Sequence, residues 1–255
     1  MLKFKQLPKI FYLFKTSRCN FYKLITSPKN LKFELKPLIL DNIEENLIGI
    51  TENFFRYEPV ISSMYEHDYS KEKIFRPTLL KSIRENLGVA CYELETGKWA
   101  ACLASEDFFT SESDSFLTSD EINAFIVEFF TFCEERGFHK VGFKSSRKKY
   151  DEIHLIASAV SKEFVGNNLL KYMCDFMLYE HPITKNSSVF FSECTNKFSS
   201  KALNQAGLKS VVSFSYQELA NDEFFKKKYD KKFFEKIIAT NEIISFHYFQ
   251  RNVKL

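Results

Sequence analysis

Residues 153–173 read IHLIASAVSKEFVGNNLLKYM, and the architecture of the chain turns on them. Ile153–Val160 is a near-continuous apolar run of strand length. Gly166, Asn167 and Asn168 then interrupt the pattern, and apolar spacing from about Asn167 to Tyr179 predicts a helix. A strand, a short Gly/Asn turn and a helix in immediate succession belong to the centre of an α/β domain.

The flanking segments supply more of the same alternation. Upstream, Phe33 and Leu35 alternate with charged neighbours in Leu31–Leu38, a strand halted by Pro37. Asp41 and Glu44 have N-cap and N3 spacing, and Ile43, Leu47, Ile50 and Phe54 then line one face of a helix. Thr78–Asn86 predicts a short helix, and Gly88–Leu94 with Lys98–Ser105 a hairpin turning at Glu95-Thr96-Gly97. Residues 105–120, rich in Ser, Asp and Glu, read as a loop, and Asp120–Arg136 as a helix ended by Gly137. Downstream come a strand at Ser188–Glu193, a helix at Lys197–Ala206 closed by Gly207, and a strand at Ser210–Tyr216. The tail from 221 to 255 alternates Lys with paired Phe and reads as helical, packed on the domain.

With 255 residues, 45% of them apolar, the chain can bury a full core. No apolar run approaches the ~18 residues that a membrane-spanning helix needs. The net charge of +3 is too small to predict a nucleic-acid partner, and it is unevenly spread: residues 1–30 carry +7 with no acid, while 31–255 carry −4. The basic, aromatic arm 1–30 reads as an N-terminal extension, with a mitochondrial presequence or a contact with anionic membrane as alternatives. The slightly acidic body favours a cationic ligand. The six cysteines include no CxxC pair and no cluster with the five His, which reads as reduced, buried thiols in a cytoplasmic protein without a metal site. The expected state is a monomer.

Three segments in this order resemble the GNAT acetyltransferase superfamily, and within it the invertebrate arylalkylamine (dopamine-type) N-acetyltransferases. Asn53-Phe54-Phe55-Arg56-Tyr57-Glu58-Pro59-Val60 is similar to that branch's FF-x-x-EPL segment. Ile153–Met173 resembles the superfamily's strand, cofactor turn and helix, where R-G-x-G-I-A is typical. Glu193-Cys194-Thr195-Asn196-Lys197-Phe198-Ser199, with Ala206-Gly207-Leu208 and Phe214-Ser215-Tyr216, resembles C-T/S-x-x-(Y/F)-S … LGF … Y. The resemblance covers 31–220 and implies a GNAT fold: one mixed central sheet flanked by helices, with the basic extension before it and the helical tail after it.

The resemblance also implies chemistry: transfer of acetyl from acetyl-CoA, the co-substrate, to a small primary amine in a direct ternary complex, without a metal. It assigns the general base to Glu58, presented from a turn stiffened by Pro59. Thr195 and Ser199 take the two hydroxyl positions near the thioester and amine. Ala159 and Val160, then Val165, Gly166, Asn167, Asn168, Leu169 and Leu170, take the cofactor-binding positions, where a helix N-terminus meets pyrophosphate. Val165 stands where Arg or Gln is usual, Asn168 at the second Gly and Leu170 at a small residue, so the alternative is a catalytically silent GNAT-fold binding module. Lys162 and Lys171 are the candidate substitutes for the missing Arg. Tyr216 is expected on a strand near the sulfur, or as a plain strand aromatic. His154 reads as a hydrogen-bonded core residue near the site.

Overall fold

The computed structural model describes residues 21–64, 72–110, 121–229, 232–240 and 242–251. Eight strands form one mixed sheet in the order β1-β2-β3-β4-β5-β6-β8-β7. They are β1 (Lys23–Thr26), β2 (Lys32–Pro37), β3 (Val89–Glu93), β4 (Trp99–Asp107), β5 (Glu152–Val160), β6 (Val189–Cys194), β7 (Lys209–Ser215) and β8 (Ile243–Gln250). Neighbours run antiparallel except β5 and β6, which are parallel and joined through a crossover helix. Among the described residues no helix is long and apolar enough to cross a membrane.

Helices α1 (Ile43–Tyr57), α2 (Pro59–Met64), α3 (Glu72–Glu85) and α4 (Glu121–Val141) precede β5. Helices α5 (Leu169–Tyr179), α6 (Lys197–Ala206), α7 (Tyr216–Asn221), α8 (Glu223–Lys228) and α9 (Lys232–Ile238) follow it. On one face of the sheet, Leu47, Ile50 and Leu79 of α1 and α3 pack on Cys102, Ala104, Ala157 and Ala159. On the other, Met173, Phe176 and Met177 of α5 pack on Cys91, Leu103, Ile153 and Leu155.

Leu155 and Ala157 therefore sit on opposite faces although two residues apart. The register explains this: Leu155 pairs with Ser105 and Ala157 with Ala104, so Ile156 is an extra residue, a β-bulge at mid-strand. A third cluster gathers Phe125 and Phe129 of α4 with Tyr216, Phe225, Tyr229, Phe234 and Ile244. Much of the phenylalanine excess lies there, in edge-to-face pairs such as Phe125–Phe234 at 5.2 Å.

Several expectations are corrected. The tail is helical only as far as Ile238; Ile243–Gln250 is a strand inserted between β6 and β7, so the domain runs past residue 220. Its β-branched and aromatic run IISFHYF suits a strand with both faces covered, where Ile244, Ser245, Phe246 and His247 are all buried. The basic extension is not separate throughout, because Lys23–Thr26 pairs with β2 as an edge strand; residues 1–20 lie outside the described residues, as do 111–120 of the expected loop.

Gly137 does not end α4, which continues to Val141. It is needed there for close approach: a Cβ at Gly137 would stand 2.1 Å from Phe246 of β8. Asn42, not Asp41, precedes the first turn of α1, and α3 begins at Glu72 rather than Thr78. Finally, Tyr216 is the first residue of α7, behind a capping box of Ser215 and Glu218, rather than the end of a strand.

Candidate active site

The parallel pair β5–β6 is in register over Glu152–His154 with Val189–Phe191, and the strands part beyond it. Ser192 Oγ donates to the Leu155 carbonyl (2.8 Å) where they begin to part. The β6-facing edge of β5 from Leu155 to Val160 thereby borders a cleft of about 1390 Å³, walled by the ends of α1 and α2, the start of α5 and the start of α6. Ten of the eleven residues proposed from sequence for catalysis or cofactor binding line this one cleft; the exception is Asn167, which is buried beneath the turn.

Glu58 lies at the break between α1 and α2. The residue before a proline is driven out of the helical region, and Glu58 is accordingly extended (φ −82°, ψ 117°), its N–H still closing α1 onto Phe54 O. Pro59 then begins α2, a position where its missing N–H is no loss. The Glu58 side chain is buried and faces the cleft. It also lies near enough to Tyr216 to add to the effect of burial in raising that phenol's pKa.

Across the cleft, β6 ends at Cys194 and Asn196 caps α6, its Oδ1 accepting from Phe198 and Ser199 N–H (3.0 and 2.9 Å). Thr195 is thus free of the capping role, and its backbone carbonyl accepts from Tyr216 Oη–H (2.8 Å). Tyr216 is buried beside Phe129 and holds the Thr195 backbone from behind rather than facing the cleft. Ser199 Oγ donates to Asn196 O at 3.0 Å.

At the far end, the turn has a left-handed Gly166 (φ 85°) and a left-handed Asn168 (φ 58°, ψ 24°). Asn tolerates that conformation, so the backbone takes its course without the second glycine. Leu169, Leu170 and Lys171 precede the first intrahelical bond, from Tyr172 N–H to Asn168 O (3.0 Å), so their N–H groups have no partner within α5. Leu170 packs partly into the α5 core cluster. Val165 is exposed, and Lys29 reaches over the turn from the β1–β2 hairpin to donate to Val165 O at 2.9 Å. Lys171 is paired with Asp175.

The least expected feature is at the apex of the cleft. His154 is hydrogen-bonded, as expected, but its partners are carboxylates: Nδ1 is 3.1 Å from Glu106 Oε1, Nε2 is 2.9 Å from Glu193 Oε2, and Glu134 Oε1 is 3.9 Å away. Phe191 stacks on its ring at 4.6 Å. Burial opposes charge on His154, but Glu193 and Glu106 outweigh it and raise the imidazole well above its ordinary value. Burial and the Glu193 charge push Glu134 up to about 8. Glu106 resists its own burial, and His154 and Lys81 draw it down to about 2. Carboxylates thus collect at the apex and along the flank at Glu58, while lysines flank the turn. The cleft suits a cationic group at one end and an anion at the other.

Five described cysteines are free and buried; burial pushes the Cys91, Cys102 and Cys174 thiols up to about 12, leaving them unreactive.

No family model and no curated protein sequence matches the chain. Solved structures do. A putative arylalkylamine N-acetyltransferase 7 from the yellow fever mosquito superposes with a TM-score of 0.69 at 12% identity, covering 90% of this chain and 93% of that one. The C-terminal condensation domain of Ebony, solved with β-alanyl-dopamine, gives 0.67 at 14%, covering 87% and 100%. A polyamine N-acetyltransferase of Drosophila melanogaster that forms N-acetylagmatine gives 0.60 at 11%, covering 86% and 100%. The chain has the GNAT fold, one mixed eight-stranded sheet flanked by helices, as the superposition on these structures shows.

Proposed function

We propose that this chain is an N-acetyltransferase that moves acetyl from acetyl-CoA to a small primary amine of the arylalkylamine kind, within a ternary complex and with Glu58 as general base. The observation that carries the reading is that a buried glutamate at a helix break and the free N-terminus of α5 open into one cleft, at the parting of two parallel strands.

The residues present fit an acyl-CoA. The N–H groups of Leu169, Leu170 and Lys171 suit a pyrophosphate, as donors and as the positive end of the helix dipole. Lys29 supplies the cation that Val165 lacks. Ala159 and Val160, on the edge of β5 where it has left β6, offer peptide groups to the extended arm of the cofactor.

An alkylammonium has a pKa near ~10 and must lose a proton before it can attack. Glu58 takes that proton, directly or through a water. Nitrogen then bonds to the thioester carbon, the C–S bond breaks, and the hydroxyl of Thr195 or Ser199 gives its proton to the thiolate while it takes back the second proton that the nitrogen sheds as the amide forms. Phe54, Phe108, Phe130 and Phe198 line the cleft and suit an aromatic side group on the amine, while the Glu58 carboxylate on its flank suits the cationic form on entry. The buried free cysteines suit a reducing compartment such as the cytoplasm.

The decisive experiment is calorimetric titration with acetyl-CoA, followed by an amine panel. A dissociation constant of roughly 100 μM or tighter, about −5.5 kcal/mol, is expected. Glu58→Gln should keep that affinity and lose turnover by about 10²-fold or more at neutral pH. The departures at Val165 and Asn168 favour a second reading, a silent GNAT-fold binding module; absence of acetyl-CoA binding would select it.

A further inference from the structure

We propose that Glu134, His154 and Glu193 form a binding site for one divalent transition-metal ion of the zinc or manganese kind, at the apex of the cleft. The three residues come from α4, β5 and β6, and one ligand atom from each lies within 4.8 Å of the others. A metal ~2.0–2.2 Å from each nitrogen or oxygen ligand needs those atoms no more than roughly 4.2 Å apart. His154 Nε2 already stands 2.9 Å from Glu193 Oε2 and 3.9 Å from Glu134 Oε1, so closure needs only small side-chain shifts.

His154 is held as a ligand is held. A metal-bound histidine characteristically donates its other N–H to a carboxylate, which fixes the tautomer and the ring. Here Nδ1 faces Glu106 Oε1 at 3.1 Å, Glu106 is in turn paired with Lys81, and Phe191 stacks on the ring. That leaves Nε2 directed at the Glu134 and Glu193 carboxylates.

A second observation points to a ligand. Glu193 Oε1 is buried and has no hydrogen-bond partner among the described residues, on a side chain only 5% exposed that borders the cleft. A carboxylate oxygen left unsatisfied in so dry a place is costly, and a cation held by the Glu193 and Glu134 carboxylates offsets that cost. One imidazole with two carboxylates suits borderline ions; magnesium and calcium prefer all-oxygen sets, and thiolate-seeking ions have no sulfur ligand in this set. Three protein ligands on an open cleft leave a further coordination position for water or a guest. The ligands are far apart in sequence, so no ligand-spacing motif announces them.

The test is calorimetric titration of the chelator-stripped full chain with zinc and manganese chlorides, magnesium chloride as control, and visible spectroscopy with cobalt(II). We expect one equivalent of zinc or manganese with a dissociation constant of about 1 μM or tighter, no saturable magnesium binding, and cobalt d–d bands. Glu193→Gln should weaken binding about 100-fold or more, and Glu106→Gln about 10- to 100-fold as loss of the orienting carboxylate. Glu134→Gln, a near-isosteric change on an α4 side chain 20% exposed, should weaken it at least tenfold while the metal-free protein melts as before. This variant keeps the test informative if substitutions at the buried positions fail to fold. No saturable binding of either ion, or wild-type affinity in both Glu134→Gln and Glu193→Gln, would overturn the proposal.

Discussion

Lys29 donates from Nζ to the backbone carbonyl of Val165 at 2.9 Å, bringing an ammonium from the β1–β2 hairpin over the Gly166–Asn168 turn. Val165 has no charge of its own, and Lys171 is engaged by Asp175, which leaves Lys162 on the cleft wall and Lys29 over the turn as cations for an incoming phosphate. An ammonium has three donors and the carbonyl uses one. Lys29→Ala should therefore weaken acetyl-CoA binding about five- to tenfold at low ionic strength, with a smaller difference in 0.5 M salt as screening removes the charge effect. Calorimetry at two salt concentrations checks this; equal affinities for variant and wild type would dissociate Lys29 from the cofactor.

The two departures in the turn should behave differently. Asn168 already holds the left-handed conformation that a glycine would hold, so Asn168→Gly should change acetyl-CoA affinity less than about threefold and barely move the melting temperature. Val165 is 59% exposed, so Val165→Arg should fold normally and add a charge-assisted bond, tightening binding about tenfold. If Asn168→Gly gave the larger gain, backbone strain rather than missing charge would be the defect.

The strand, turn and helix at residues 153–173 were legible because the information is local: an apolar run, Gly166 with two asparagines, then helical spacing. The helix break at Glu58 is legible for a similar reason, since Pro59 dictates it. The His154 cluster was not, because Glu106, Glu134 and Glu193 reach it from three other elements, and a single histidine in an apolar run carries no trace of them. The position of Lys29 is not legible, because its aim comes from a hairpin whose pairing with the sheet nothing in the basic arm announces. The bulge at Ile156 decides which residues face α5 and which face α1, yet it is a mismatch between two strands and invisible in either alone. Strand β8 is masked in the sequence by the lysine–phenylalanine rhythm of the helices preceding it.

Gly137 carries a stability prediction. Its α-carbon sits where a Cβ would come within 2.1 Å of the Phe246 ring, and that ring is fully buried between Phe138 and Phe191. Alanine ordinarily favours a helix over glycine by about 1 kcal/mol, but overpacking typically costs about 1–3 kcal/mol. The contact is close enough for overpacking to prevail. Gly137→Ala should lower stability in urea melts by about 1–2 kcal/mol, and a stabilised variant would mean that β8 can slide away from α4 freely.

His181 sets a pH dependence that can be isolated by one substitution. It is fully buried between Phe21 and Phe176, and its Nδ1 accepts from the N–H groups of Ile183 and Thr184 (3.3 and 3.4 Å). Burial lowers its pKa from 6.5 to about 4. Between those values the unfolded chain binds a proton that the folded chain refuses, so stability rises with pH. The contribution is complete above pH 6.5 and is lost progressively down to pH 4, where the folded state also protonates. The shift corresponds to about 3 kcal/mol. His181→Asn keeps an acceptor for the two N–H groups but cannot take up the proton. Urea melts at pH 7, 5.5 and 4 should show the wild type losing about 3 kcal/mol more than the variant over that range; parallel losses would place the acid sensitivity elsewhere.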